Sequence, residues 1–169
     1  MRKSIKTMVG IRVIAALASV LIYSVLISVN IFAIKDTQQK SIQANQLLKT
    51  IQNAEIAHYK WSSGLSNALY AGAEFTGSMD PTGCILGQWV YGEAETEDKD
   101  ILALREQIEP LHKELHESAS KVLDMMKTDQ EGAQEYYQKT IQSNLTTLVG
   151  LLDEVVADVT EQSEVCAAD

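Results

Sequence analysis

The amino-acid sequence predicts an all-α protein in which an N-terminal transmembrane helix leads into an antiparallel helical bundle of three long helices and one short helical segment. Three observations carry that reading. Only two prolines and nine glycines interrupt 169 residues rich in Ala, Leu, Gln, Glu and Lys, a composition that favours helix over sheet. An uncharged apolar run fills Val13 to Ile34. Beyond it, apolar residues recur at three- and four-residue steps, the spacing that lines one face of a helix.

Residues 1–12 form a basic segment, with Arg2, Lys3, Lys6 and Arg12 and no acidic residue among them. The apolar run, residues 13–34, is 22 residues long. A helix of about that length crosses ~30 Å of hydrocarbon. It passes directly into Lys35 and Asp36 instead of a small-residue cleavage site, so it reads as an uncleaved anchor, not a secretory signal. The positive flank places the N-terminus in the cytoplasm and everything from residue 36 outside, although Lys35, Lys40 and Lys49 pull against that bias. Residues 36–165 are then one extracytoplasmic domain, and about 130 residues suffice for a core of its own.

Within that domain Ile42, Leu47, Leu48, Ile51, Ala54, Ile56, Ala57, Trp61, Leu65, Leu69 and Phe75 trace one long helix continuing out of the membrane. Gly77 to Gly83 collects Gly, Ser, Asp and Pro, turn chemistry that ends the helix and leads to Cys84. A short apolar piece around Trp89 follows, then the polar run Gly92 to Asp100. Ile101, Leu104, Ile108, Leu111, Leu115, Ala119, Val122 and Met126 predict a second long helix, with Pro110 expected to kink it. A break at Thr128 to Gly132 precedes a last helix whose stripe begins at Tyr136 and Tyr137 and runs through Leu145, Leu152 and Val159. Three long helices and one short segment suggest an up-and-down bundle.

Net charge is −9 with a pI near 4.8, and no basic stripe with interleaved aromatics is present, which argues against nucleic acid as a partner. Cys84 and Cys166 are too few for a disulfide scaffold and lie in unlike surroundings. Cys166, in the terminal Cys-Ala-Ala-Asp, formally fits a prenylation box, but Asp is a poor last residue for one. It reads as incidental, or as a disulfide between subunits.

The chain has three histidines, and His112 and His116 are spaced i, i+4, one turn apart on one helix face. That spacing suits two bonds to one metal, and equally a pair of surface histidines. A metalloprotease needs Glu directly after the first His as general base, and Lys113 stands there, so no enzyme activity is expected. His58 sits in a core-forming stretch near Trp61, and Cys84 precedes Ile85, Leu86 and Gly87. Each alone reads as an ordinary core residue. Together the four supply three imidazoles and a thiolate, a complete tetrahedral set for zinc with a net charge near +1. Glu55, Glu114 and Glu117 are candidates in sequence to offset that charge.

The blocks His58-x-x-Trp61, Cys84-x-Leu86-Gly87-x-Trp89 and His112-x-x-x-His116, in that order, resemble the chemoreceptor zinc-binding (CZB) family. The resemblance covers about residues 50–160, and its middle block is the specific part. It implies that His58, Cys84, His112 and His116 are the ligands of one Zn2+, with Trp61, Trp89, Leu86 and Gly87 packing around and shielding the site. It implies a sensory role in bacterial signal transduction and chemotaxis, answering zinc or oxidants such as hypochlorous acid at the ligand cysteine. It also implies a homodimer formed through the first and last helices. Many members are cytoplasmic, at the C-terminal end of a receptor. Here the domain follows an N-terminal anchor, which looks like the sensor half of a methyl-accepting chemotaxis receptor in the bacterial inner membrane. A full receptor needs a second span, a relay linker and a cytoplasmic coiled coil, none of which precedes Asp169. The expectation is a truncated receptor, a fragment, or a stand-alone domain working through a partner. A purely structural zinc is the competing reading, and a zinc hydrolase the third.

Overall fold

The structure, a computed structural model, describes residues 5–93 and 96–168, with side chains from 7 to 163. Among the described residues it is all-helical, without a strand. In order, the elements are α1 (Ile5–Ala71), α2 (Ile85–Tyr91), α3 (Lys99–Met125), α4 (Gln130–Tyr136), a π turn (Tyr137–Ile141) and α5 (Gln142–Ala168). Cys166 belongs to α5, but its side chain lies outside the described residues.

The chain divides into two compact units, Met1–Ile42 and Gln43–Asp169. The first unit carries the apolar run, helical throughout, with Leu17, Val20, Leu21, Val25 and Phe32 exposed. By length and composition alone this helix can cross a membrane. Its serines donate to carbonyls three or four residues back, as Ser28 Oγ does to Ser24 O at 2.8 Å, so the run leaves few polar side-chain groups unpaired.

The second unit holds the core. Ile51, Ala54, Leu65 and Leu69 of α1, Leu86 and Val90 of α2, Ile108, Leu115 and Val122 of α3 and Leu148, Leu152 and Val155 of α5 form one buried cluster. α3 packs chiefly on α5, and also on α4, α2 and the π turn. Asp98 starts α3 by accepting from the main-chain N–H groups of Asp100 at 2.9 Å and Ile101 at 3.1 Å, which satisfies two of the unpaired donors at a helix start.

Two boundaries differ from the periodicity. The first long helix was expected to reach Phe75 but ends at Ala71, because Gly72 adopts φ +68° and its N–H returns to Ala68 O at 3.2 Å. Phe75 nonetheless joins the core, its ring edge-on to Trp61 at 5.6 Å. The helix expected to begin near Tyr136 starts earlier, at Gln130, where Asp129 caps the N–H of Gly132 at 2.9 Å. A Cβ on Gly132 would meet that capping carboxylate at 2.1 Å, so the glycine serves the cap instead of a break. α3 runs on through Pro110 as one helix.

The π turn was not legible in the stripe. It delivers Tyr137 into the interior, where its hydroxyl donates to Ser62 O at 3.1 Å and accepts from Gln142 Nε2 at 2.6 Å, with Ser62 Oγ at 3.0 Å. The widened turn and the buried polar group occur together, as such turns often do.

Candidate metal centre

Three elements bring the four predicted donors together. α1 carries His58, α3 carries His112 and His116, and Cys84 is the residue that caps α2. One ligand atom from each lies within 4.8 Å of all the others. His58 and both α3 histidines are buried, and Cys84 is half-buried.

The position of Cys84 follows from its helix. Its Sγ accepts the N–H of Gly87 at 3.2 Å, a cap that orients the sulfur back over the first turn. Leu86, fully buried, anchors that turn in the core and contributes about 2 kcal/mol by removal from water. Gly87 is required by close approach, since a Cβ there would lie 1.8 Å from the Pro81 carbonyl oxygen. The sequence block Cys-x-Leu-Gly is thus a local device with three separate jobs.

The histidine tautomers are fixed by main-chain carbonyls, which only accept. His58 Nδ1 donates to Ala54 O at 2.7 Å and His116 Nδ1 donates to Ser78 O at 2.9 Å. Their Nε2 atoms therefore carry lone pairs, and these face each other at 3.4 Å. Two lone pairs with no proton between them repel, which a shared cation reverses. Cys84 Sγ stands 3.1 Å from His112 Nε2 and 3.9 Å from His58 Nε2. A tetrahedron with Zn–N of ~2.05 Å and Zn–S of ~2.3 Å has N···N and S···N edges of roughly 3.4 and 3.6 Å. Those three separations lie near these values and every pair of donor atoms stays within 4.8 Å, so three nitrogens and one sulfur can converge on a single zinc-sized cation.

Electrostatics agree. Burial lowers the pKa of His58 and His116, and it pushes His112 down to about 3, with the neighbouring imidazoles adding to the shift. All three rings are neutral at pH 7 and can donate without first losing a proton. Burial raises the Cys84 thiol, so sulfur gives up a proton when it binds a metal. Asp80, whose carboxylate is held low by hydrogen bonds from Thr82, is the acidic group that acts on His116.

The surroundings differ from the sequence expectation in two respects. Outer support comes from the carbonyls of Ala54 and Ser78, not from Glu114 or Glu117, which are exposed, or from Glu55; Glu117 instead faces Lys113 at 3.8 Å. Trp61 lies against the site, its ring 5.1 Å from that of His116, and its Nε1 donates to the same Ser78 oxygen at 2.8 Å. Trp89 packs on the core beneath the Arg105 guanidinium at 5.9 Å, and the aromatic ring beside His112, at 6.3 Å, belongs to Tyr91. Tyr91, Ser78 and Asp80 were not singled out from the sequence. A main-chain carbonyl leaves no side-chain signal, and the Gly-Ser-Met-Asp-Pro turn pointed only to a loop.

The family model described as the chemoreceptor zinc-binding domain matches residues 58–123, beginning at His58 and spanning all four donors. No curated protein and no solved structure matches the chain.

Proposed function

We propose that this chain is a zinc-holding sensory domain of the chemoreceptor type, anchored by residues 13–34 in a bacterial inner membrane with its N-terminus in the cytoplasm. Residues 36–165 would face outward, work as a homodimer and pass their signal to a receptor signalling domain or a chemotaxis signalling complex. The convergence of three Nε2 atoms and one Sγ within 4.8 Å carries the reading, supported by the family match across the same residues. With zinc bound, His58, Cys84, His112 and His116 would supply four donors, a full set that would leave no position for a reactive water, which speaks against hydrolysis.

Zinc supplies a positive centre that ties the α2 start to α1 and α3. Cys84 is the one anionic donor and the half-buried one, so it is the group an oxidant meets. Hypochlorous acid oxidises its thiolate to a sulfenic acid and is itself reduced to chloride, removing the negative donor. α2 then loses its tether, and α1, which also carries the apolar run, is free to shift against α3.

The test uses detergent-solubilised full chain in a Cys166→Ser background. Metal analysis is expected to give one zinc per chain. Stepwise hypochlorous acid is then expected to release zinc to a chromogenic chelator in parallel with Cys84 oxidation seen by mass spectrometry. Absence of zinc overturns the whole proposal. Zinc retained after complete Cys84 oxidation removes the oxidant mechanism and leaves zinc sensing or a structural ion.

A further inference from the structure

The three imidazoles of the site are not held alike. His58 and His116 each anchor Nδ1 on a main-chain carbonyl, at 2.7 and 2.9 Å. His112 is fully buried, and its Nδ1 finds no acceptor among the described residues. Two residues earlier Pro110 lacks the N–H that would bond the carbonyl of Glu106, so the turn entering His112 is short of one helix hydrogen bond. Finally, His112 is the imidazole nearest the half-buried thiol, at 3.1 Å from Cys84 Sγ, with the partly exposed Tyr91 ring on its flank. The half-buried member of the four, Cys84, therefore stands directly beside His112.

We propose that His112 is the exchangeable ligand, the imidazole that detaches first and admits a small soluble donor to the metal beside Cys84. This rests on the reading that the four residues hold zinc. An imidazole whose second nitrogen is anchored keeps its aim and its basicity, and loss of such an anchor typically weakens metal binding 10–100-fold. His112 lacks that anchor from the start, so it contributes least to affinity and leaves at the lowest cost. Such a site is closed at rest and opens at one known corner. That lets zinc occupancy, or a ligand on the metal, be read as movement of α3 against α2 without dismantling the His58–His116 half.

The experiment compares His58→Ala, His112→Ala and His116→Ala in the detergent-solubilised full chain, using zinc alone and a competing chelator. The expected result is that His112→Ala retains zinc ~10–100-fold more tightly than either other variant. Equal or greater loss at His112 overturns the proposal, as does an unstable His112→Ala protein when the other two variants fold. A second measurement needs no variant. Wild-type protein loaded with cobalt(II) is titrated with free imidazole, and the visible bands are expected to shift reversibly while the thiolate-to-cobalt charge-transfer band persists. Bands that do not move, or that vanish together as the metal is stripped, count against an exchangeable corner. A wild-type chain that binds neither metal refutes the zinc reading itself, an outcome distinct from tight binding with the wrong ranking of histidines.

Discussion

Gly87→Ala tests whether the metal centre depends on the close approach of α2 to the preceding turn. The new Cβ would stand 1.8 Å from the Pro81 carbonyl oxygen, 2.9 Å from its carbonyl carbon and 3.0 Å from Thr82 Cα. All three are main-chain atoms, so no side-chain rotation relieves the overlap. A carbon meets a carbonyl oxygen comfortably only at roughly 3.3 Å, so the helix start and the turn must part by about 1.5 Å. Metal–ligand bonds tolerate displacements of only ~0.2 Å. Because the Gly87 N–H lies 3.2 Å from Cys84 Sγ, the sulfur cannot stay in place while the helix moves. Zinc affinity is expected to fall by at least ~100-fold, the upper end of what loss of one outer partner costs. The overpacking should remove about 1–3 kcal/mol of stability, with the helical fold retained. Chelator competition gives the first quantity, and thermal unfolding followed by circular dichroism without zinc gives the second. Gly83→Ala is the control, since its Cβ would meet nothing nearer than Asp80 Oδ2 at 3.8 Å, an ordinary contact. A Gly87→Ala protein that holds zinc as tightly as wild type would refute the account of Cys84 placement.

Four further outcomes can be measured. Cys84→Ala should weaken zinc more than any single histidine change, because it removes the anionic donor, and metal analysis after dialysis shows this as a sub-stoichiometric ion. Tyr137→Phe should cost about 0.5–1.5 kcal/mol by removing the hydroxyl that bonds Ser62 O and Gln142 Nε2, while Gln142 keeps its bond to Ser62 Oγ at 3.2 Å, with zinc affinity unchanged, as separate melting and chelator measurements would report. Trp61→Phe keeps an aromatic ring beside His116 but removes the donor to Ser78 O, so stability should drop by about 0.5–1.5 kcal/mol with a modest loss of zinc affinity. Sedimentation of the full chain in detergent is expected to show a dimer, and a monomer at high micromolar concentration would count against the receptor-like assembly.

The helices and the donor set were legible because both are written in side chains. A three- and four-residue apolar rhythm marks α3 and α5 unambiguously, and His112 and His116 share a face by spacing alone. Joining them to His58 and Cys84 required the motif blocks, since nothing in spacing brings residues on three elements to one point. What stayed hidden is main-chain chemistry. The carbonyls of Ala54 and Ser78 orient the rings of His58 and His116, yet any residue at those positions offers the same oxygen. The buried residues of the π turn, Tyr137 and Ile141, lie four apart, a step that an α-helix also makes, so the stripe does not reveal it. Gly72 fell inside an expected helix and Gly132 inside an expected break, and only the local φ and the Asp129 cap show that one ends a helix and the other serves the start of one.

The Ser78 carbonyl accepts both the Trp61 indole N–H and the His116 imidazole N–H. Indole emission responds to what its N–H is bonded to and to the charge of neighbouring groups, and zinc, with a filled d shell, does not quench it by redox chemistry. Trp61 is therefore an internal optical probe wired to His116 through a single oxygen. In a Trp89→Phe background the protein would carry one emitter, and its spectrum would follow the state of the His116 corner in membranes, in real time and without any added label.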